Sequence, residues 1–202
     1  MEIKSMCATG HRPLNGAWDI AHPHRQKLRE NLYPIIKRAH INGGFSTFIC
    51  GMAQGFDTDF ALSVIKLRLE MEGGVFLVAA VPFKNQEKAW KKTDQEIYAE
   101  LINQADSVIE VCDPGFDNWK YHARNRFMVD NSEHVLAFWN GSDGGTSATI
   151  RYALSVGKPI LNLLSIPVEE AKQREKGKKD VLLRPIEENL RIFQEHMKVK
   201  VG

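Results

Sequence analysis

Ile3-Lys4-Ser5-Met6-Cys7-Ala8-Thr9-Gly10-His11-Arg12-Pro13 reads as a strand that ends in a glycine turn. An apolar run of strand length gives way at once to small and hydrogen-bonding residues, and an amphipathic stretch follows over 24–40. A short strand feeding a longer helix through such a turn is the first half of a βαβ unit. The rhythm repeats down the chain. Apolar runs at 3–9, 46–50, 74–81, 107–111, 134–139 and 159–164 predict six strands. Apolar residues returning at three- and four-residue steps over 24–40, 57–71, 86–104, 121–131 and 146–156 predict the helices between them.

Each crossover helix must pack back onto the sheet, so the pattern predicts an α/β protein. Its expected form is a Rossmann-like parallel sheet of about six strands with helices on both faces, over residues 1–166. After Ile166 the chain becomes densely charged, and from 181 to 201 apolar spacing returns at Leu183, Ile186, Leu190, Ile192 and Phe193. Residues 167–202 are therefore expected to form a solvated segment and a C-terminal helix, docked on the domain or on a second copy in a homo-oligomer.

The bulk numbers narrow the function classes. Lysine and arginine number 27 against 25 aspartate and glutamate, so the chain carries no global nucleic-acid or membrane signature and any basic site is local. A hydrophobic share of 43% with 26% charged residues excludes extended disorder. No run approaches the roughly 18 apolar residues of a membrane span, and a cytoplasmic protein is expected. Cys7, Cys50 and Cys112 are odd in number and far apart, which points to buried thiols and not to disulfides or a zinc knuckle. His22 and His24 lie near Asp19, yet no third histidine or cysteine stands at ligand spacing, so neither a metal nor a cofactor is expected.

In open α/β sheets ligands bind outside the carboxyl ends of the strands, where helix N-termini present unpaired N–H groups. Thr9, Gly10, His11 and Arg12 follow the first strand and combine a hydroxyl, a backbone that a ligand can approach closely, and two donors for phosphate oxygens. A plain strand-ending turn is the alternative. The second strand runs into Gly51-Met52-Ala53-Gln54-Gly55-Phe56-Asp57. Gly51, Ala53 and Gly55 let a phosphate or ribose lie against the backbone, while Asp57 either accepts from sugar hydroxyls or caps the helix. After the fifth strand, Gly144, Gly145 and Thr146 line a helix N-terminus and read as a phosphate nest. No Gly-Lys-Ser/Thr loop and no intact G-x-G-x-x-G is present, which disfavours a P-loop ATPase or a dehydrogenase. On the helix over 121–131, Arg124 and Met128 share a face, so the methionine can pack inward while the arginine reaches the sheet edge and can pair with phosphate or carboxylate; a surface arginine in a charged helix is the alternative.

Taken together, Thr9-Gly10-His11-Arg12-Pro13, Gly51 to Asp57, Arg124-Asn125 with Met128, and Gly144-Gly145-Thr146 leading to Ala153 and Gly157-Lys158-Pro159-Ile160 resemble the SLOG superfamily. That group joins the DprA/Smf DNA-processing proteins to the LOG cytokinin-activating enzymes, and this chain looks most like its YpsA-like branch. The resemblance covers roughly 1–165 and implies that the glycine turns and Arg124, with Asn125, bind a nucleotide or nucleotide-derived ligand. DprA proteins bind single-stranded DNA, whereas LOG enzymes cleave the N-glycosidic bond of nucleoside monophosphates. In LOG enzymes a catalytic glutamate follows the glycine-threonine turn, but here Ser147, Ala148 and Thr149 do. Glycosidic cleavage needs a carboxylate beside its oxocarbenium-like state. Asp57, Asp59 or Asp143 can substitute only if the fold brings one to the site.

Three readings follow. The first is a sensor or ligand-binding protein for a nucleotide-derived small molecule. The second is a hydrolase of a nucleotide's N-glycosidic or phosphate bond, with its catalytic residues unassigned. The third is a DprA-like binder of single-stranded DNA, disfavoured by the charge balance.

Overall fold

A computed structural model describes residues 4–12, 19–172 and 182–198. Pro13, Trp18 and the charged run over 173–180 lie outside them. The elements are β1 (Lys4–Gly10), α1 (Pro23–Gly43), β2 (Phe45–Cys50), α2 (Phe56–Glu70), β3 (Phe76–Val81), α3 (Lys92–Gln104), β4 (Ser107–Glu110), α4 (Asn118–Asp130), β5 (His134–Phe138), α5 (Gly145–Ser155), β6 (Ile160–Asn162), a 3-10 turn (Val168–Lys172) and α6 (Ile186–Lys198). The six strands form one sheet in the order β4-β3-β2-β1-β5-β6, and every pairing is parallel.

The period of two along each strand sorts the core into two layers. Met6, Ala8, Phe48, Cys50, Leu77, Ala79 and Leu136 point to one face, where they pack with Leu32, Ile36, Phe60 and Val64 of α1 and α2. Cys7, Ile49, Ala80, Val135 and Ala137 point to the other, under Met128, Val129, Ile150 and Ala153 of α4 and α5. Fully burying one such large side chain contributes about 1.5–3 kcal/mol, so the strands need apolar residues on both faces. This is why the sequence shows runs instead of alternation.

The strand order reverses at β1. From β1 the chain winds outward through β2, β3 and β4, then crosses back to place β5 on the other side of β1. The connections leaving β1 and β5 therefore diverge and open a crevice at their carboxyl ends. His11 N–H donates to Phe138 O at 3.2 Å, and His11 Nε2 accepts from Asn140 N–H at 3.1 Å, tying the two strand ends together at its floor.

Most boundaries fall within a few residues of those expected from the sequence, and the exceptions have local causes. The helix expected over 86–104 begins only at Lys92. Asn85 takes φ +63°, Lys88 N–H and Trp90 N–H close turns on Asn85 O and Glu87 O, and the buried Gln86 side chain donates to Met52 O at 3.3 Å. A helix there would pull Gln86 out of the core. Helix α4 starts earlier than expected, at Asn118, because the Asp117 carboxylate caps it by accepting from Trp119 N–H at 3.4 Å. Strand β3 starts two residues late, since Gly73 and Gly74 both have positive φ.

Helix α6 docks on α1. Asn31 Nδ2 and Asn189 Nδ2 both donate to Arg184 O, at 2.8 and 3.1 Å, and Phe193 is buried beside Phe45. Leu164 and Leu183 form an antiparallel bridge just before it. Among the described residues no helix is long and apolar enough to cross a membrane, and no group of three His, Cys, Asp or Glu is placed to hold a metal ion.

Candidate functional site

A cavity of about 380 Å³ lies in the crevice between β1 and β5. Its walls come from four separate stretches of sequence. Thr9, Gly10, His11 and Arg12 follow β1, Ala53 and Asp57 enter α2, Arg124 and Asn125 come from α4, and Gly145 and Thr146 open α5. Ten of the thirteen residues singled out in the sequence thus share one cavity.

Gly51, Gly55 and Gly144 do not line it. Gly51 stands behind the wall, its carbonyl accepting from Arg124 Nη1. Gly55 turns toward α1, where its carbonyl accepts from Arg25 Nη2 at 3.3 Å. Gly144 is the exposed N-cap of α5.

Two glycines leave room that no other residue can. A Cβ on Gly10 would sit 2.5 Å from the Cβ of Phe56, so the first turn of α2 packs directly on the β1 backbone. A Cβ on Gly51 would lie 2.6 Å from Arg124 Cζ and 2.8 Å from Asp57 Oδ2. Side-chain-free backbone at this point is what lets the guanidinium and the carboxylate both reach the floor.

Arg124 is the unusual charge of the site. It is only 4% exposed, yet it forms no ion pair with a carboxylate among the described residues. Nη1 donates to Gly51 O and to Ala80 O, the latter at 3.4 Å, and Nε donates to Asn125 Oδ1 at 2.8 Å. Burial pushes its pKa below the usual value, with the charge of Asp57 opposing that shift. A buried cation held by carbonyl dipoles, without a full countercharge, favours an anion in the adjoining space. Asp57 is buried as well: desolvation pushes its carboxyl above the usual range, against the pull of Arg124 and of Ala53 N–H, which donates to Oδ2 at 3.1 Å.

The far wall is the start of α5. Ser147 reaches back so that its Oγ accepts from Gly144 N–H at 2.9 Å, while the N–H groups of Gly145 and Thr146 have no acceptor among the described residues. Helix N-termini attract anions through such groups and through the helix dipole. Asn125 Nδ2 donates to Thr149 Oγ1 at 2.8 Å and so locks α4 against α5 across the cavity.

Of the three aspartates considered as substitutes for the missing glutamate, only Asp57 lines the cavity. Asp59 binds Arg25 and Arg29 at 2.9 and 2.5 Å on the α1 side, and exposed Asp143 pairs with Arg151 at 3.1 Å. The motifs of the sequence do not single out Gln54, Tyr121 and Met128 as cavity walls, yet all three line it. Tyr121 carries a usable signal, since it stands three residues before Arg124 and shares its helix face.

Comparison with known proteins agrees with this architecture. The SPbeta prophage-derived protein YoqJ of Bacillus subtilis (strain 168) is 29% identical over 145 residues, covering 66% of this chain and 84% of that protein. A UPF0398 protein of Bacillus pumilus (strain SAFR-032) is 24% identical over 146 residues, 71% of this chain and 77% of its own. Among solved structures, DNA processing protein A (DprA) from Streptococcus pneumoniae superposes with a TM-score of 0.58 at 13% identity, over 88% of this chain and 59% of that one. TM1055 superposes at 0.56 with 14% identity, over 96% and 99%. The Helicobacter pylori DNA processing protein A, known for its single-stranded DNA binding mode, reaches 0.56 at 15% identity, over 98% and 80%. At these identities the structural likeness establishes the fold alone. The family model YpsA, described as the YspA SLOG family, matches residues 6–156, and the chain belongs to that family.

Proposed function

We propose that this protein binds a nucleotide or nucleotide-derived phosphate ligand in the β1–β5 crevice, as a sensor or ligand-binding protein, with residues 1–166 as the binding domain. The observation that carries the reading is Arg124, a buried guanidinium in no direct ion pair among the described residues, facing the same cavity as the open N–H groups of Gly145 and Thr146. A phosphate between them would accept from backbone donors and complete the charge of the arginine. Thr9, Gly10 and Asp57 remain for the sugar. The test is a thermal-shift panel of nucleotides, since a ligand that binds only the folded state raises the melting point. Nucleosides without phosphate should give no shift, and a panel with no shift at all would contradict the reading.

Asp57 motivates a second reading, hydrolysis of a nucleotide's glycosidic or phosphate bond, because it is the aspartate in the cavity and burial raises its pKa toward that of a working acid. Chromatography for released base or phosphate separates turnover from binding, and Asp57→Asn should abolish any turnover. The fold likeness to DNA processing protein A keeps single-stranded DNA as a competing ligand. DNA affinity that falls steeply with salt would favour it.

A further inference from the structure

The crevice continues past Tyr121. A second cavity of about 970 Å³ opens beside the first, and Arg12, Gln54 and Tyr121 line both. Its chemistry differs from that of the inner one. Lys84, Lys88 and Lys91 line it, each exposed and none in an ion pair among the described residues. Asp94 also lines it but accepts from Gln54 Nε2 at 2.8 Å.

The same cavity is also lined by a cluster of rings. Phe83, Phe116 and Tyr121 meet one another edge to face at 5.6–6.3 Å between centroids. Phe116 is 72% exposed, with one flank open to solvent. The loop that presents it is fastened from below, because the Lys120 ammonium donates to the carbonyls of Asp113, Pro114 and Gly115 at 2.9, 3.3 and 2.9 Å. A loop fixed by three bonds while it holds a phenyl ring in water resembles a stacking platform more than a packing residue.

We infer that the two cavities form one cleft for a small ligand of two nucleoside units joined through phosphate, the second base lying on the Phe116–Tyr121 wall and the linking phosphate beside Lys84, Lys88 and Lys91. This rests on the nucleotide reading of the inner cavity. At about 380 Å³ that cavity stands near the lower end of the roughly 300–1,000 Å³ typical of ligand pockets. One nucleotide there leaves three lysines and the ring wall unused. The basic patch is also short. A long strand presents a phosphate at every nucleotide, whereas these lysines with Arg12 suit one or two phosphates.

The test is calorimetric titration of the full chain with the 5′-monophosphates of adenosine, guanosine, cytidine and uridine, and with the corresponding linear homodinucleotides. For at least one base the dinucleotide should bind about tenfold tighter or more than the mononucleotide, the scale of one added charge-assisted contact. The exposed-site variants Lys84→Ala/Lys88→Ala/Lys91→Ala and Phe116→Ala should remove that advantage and leave mononucleotide affinity unchanged. Equal affinities, or an advantage that survives both variants, would overturn the two-unit cleft while leaving the inner site in place. A ten-nucleotide single strand that binds another tenfold tighter than the dinucleotide would also overturn it, in favour of a longer occupant. Binding of neither mononucleotide nor dinucleotide would remove the nucleotide reading and this inference together.

Discussion

Asp57 and Asp59 stand two residues apart in the first turn of α2 and face opposite regions of the molecule. Asp59 looks into the seam between α1 and α2, where Arg25 Nε and Arg29 Nη1 take one oxygen each. Burial pushes its carboxyl up while the two guanidinium groups pull it back. Asp57 looks into the cavity, where Arg124 faces the same space without forming an ion pair to it. Both regions bury charge, but in the seam the carboxylate is paired directly with two guanidinium groups, whereas in the cavity Arg124 and Asp57 share a space without a direct ion pair. Buried charge without a direct partner costs stability.

Substitutions in the seam and in the cavity should have different consequences. The largest effect is expected in the seam: Asp59→Ala removes the buried carboxylate that Arg25 and Arg29 share, and should lower unfolding free energy by about 3–5 kcal/mol in urea denaturation, with nucleotide affinity of the folded fraction unchanged. At the cavity, Arg124→Ala should weaken nucleotide binding by about 1.5–3 kcal/mol in calorimetry, and a folded variant with wild-type affinity would remove the arginine from the site. Gly10→Ala tests the packing that brings α2 to the crevice, and overpacking against Phe56 should cost about 1–3 kcal/mol of stability.

The smallest effect is a pH dependence. Because burial raises the Asp57 pKa in the folded state, this group stabilises the fold fully below the ordinary carboxylate range and loses that contribution as pH rises through its raised value. Asp57→Asn carries no such titration. Its stability relative to wild type should therefore rise with pH across that window in paired denaturation curves, and the opposite slope would show that Arg124 controls the carboxyl instead.

Much of the fold, and the gathering of ten candidate residues around one cavity, is legible in the amino-acid order. The strands show because burial on both faces leaves unbroken apolar runs, as at Met6-Cys7-Ala8 and Val135-Leu136-Ala137. The site turns show because Gly10 and Gly145 follow strands at the edge where ligands bind. What stays hidden is set by contacts distant in sequence. Nothing local separates Gly51, which backs the cavity wall, from Gly55, which holds Arg25. Nor does composition reveal that Asp59 meets arginines from another helix, or that the 86–91 turn brings Lys88 and Trp90 to the lining of the second cavity. The helical period of that stretch is overridden by the pull of Gln86 toward Met52 O.

The most direct test is a crystal structure with the nucleotide that gives the largest thermal shift. Its phosphate should lie within hydrogen-bonding distance of the Gly145 and Thr146 N–H groups and of the Arg124 guanidinium. A nucleotide seated elsewhere, with the β1–β5 crevice empty, would contradict it.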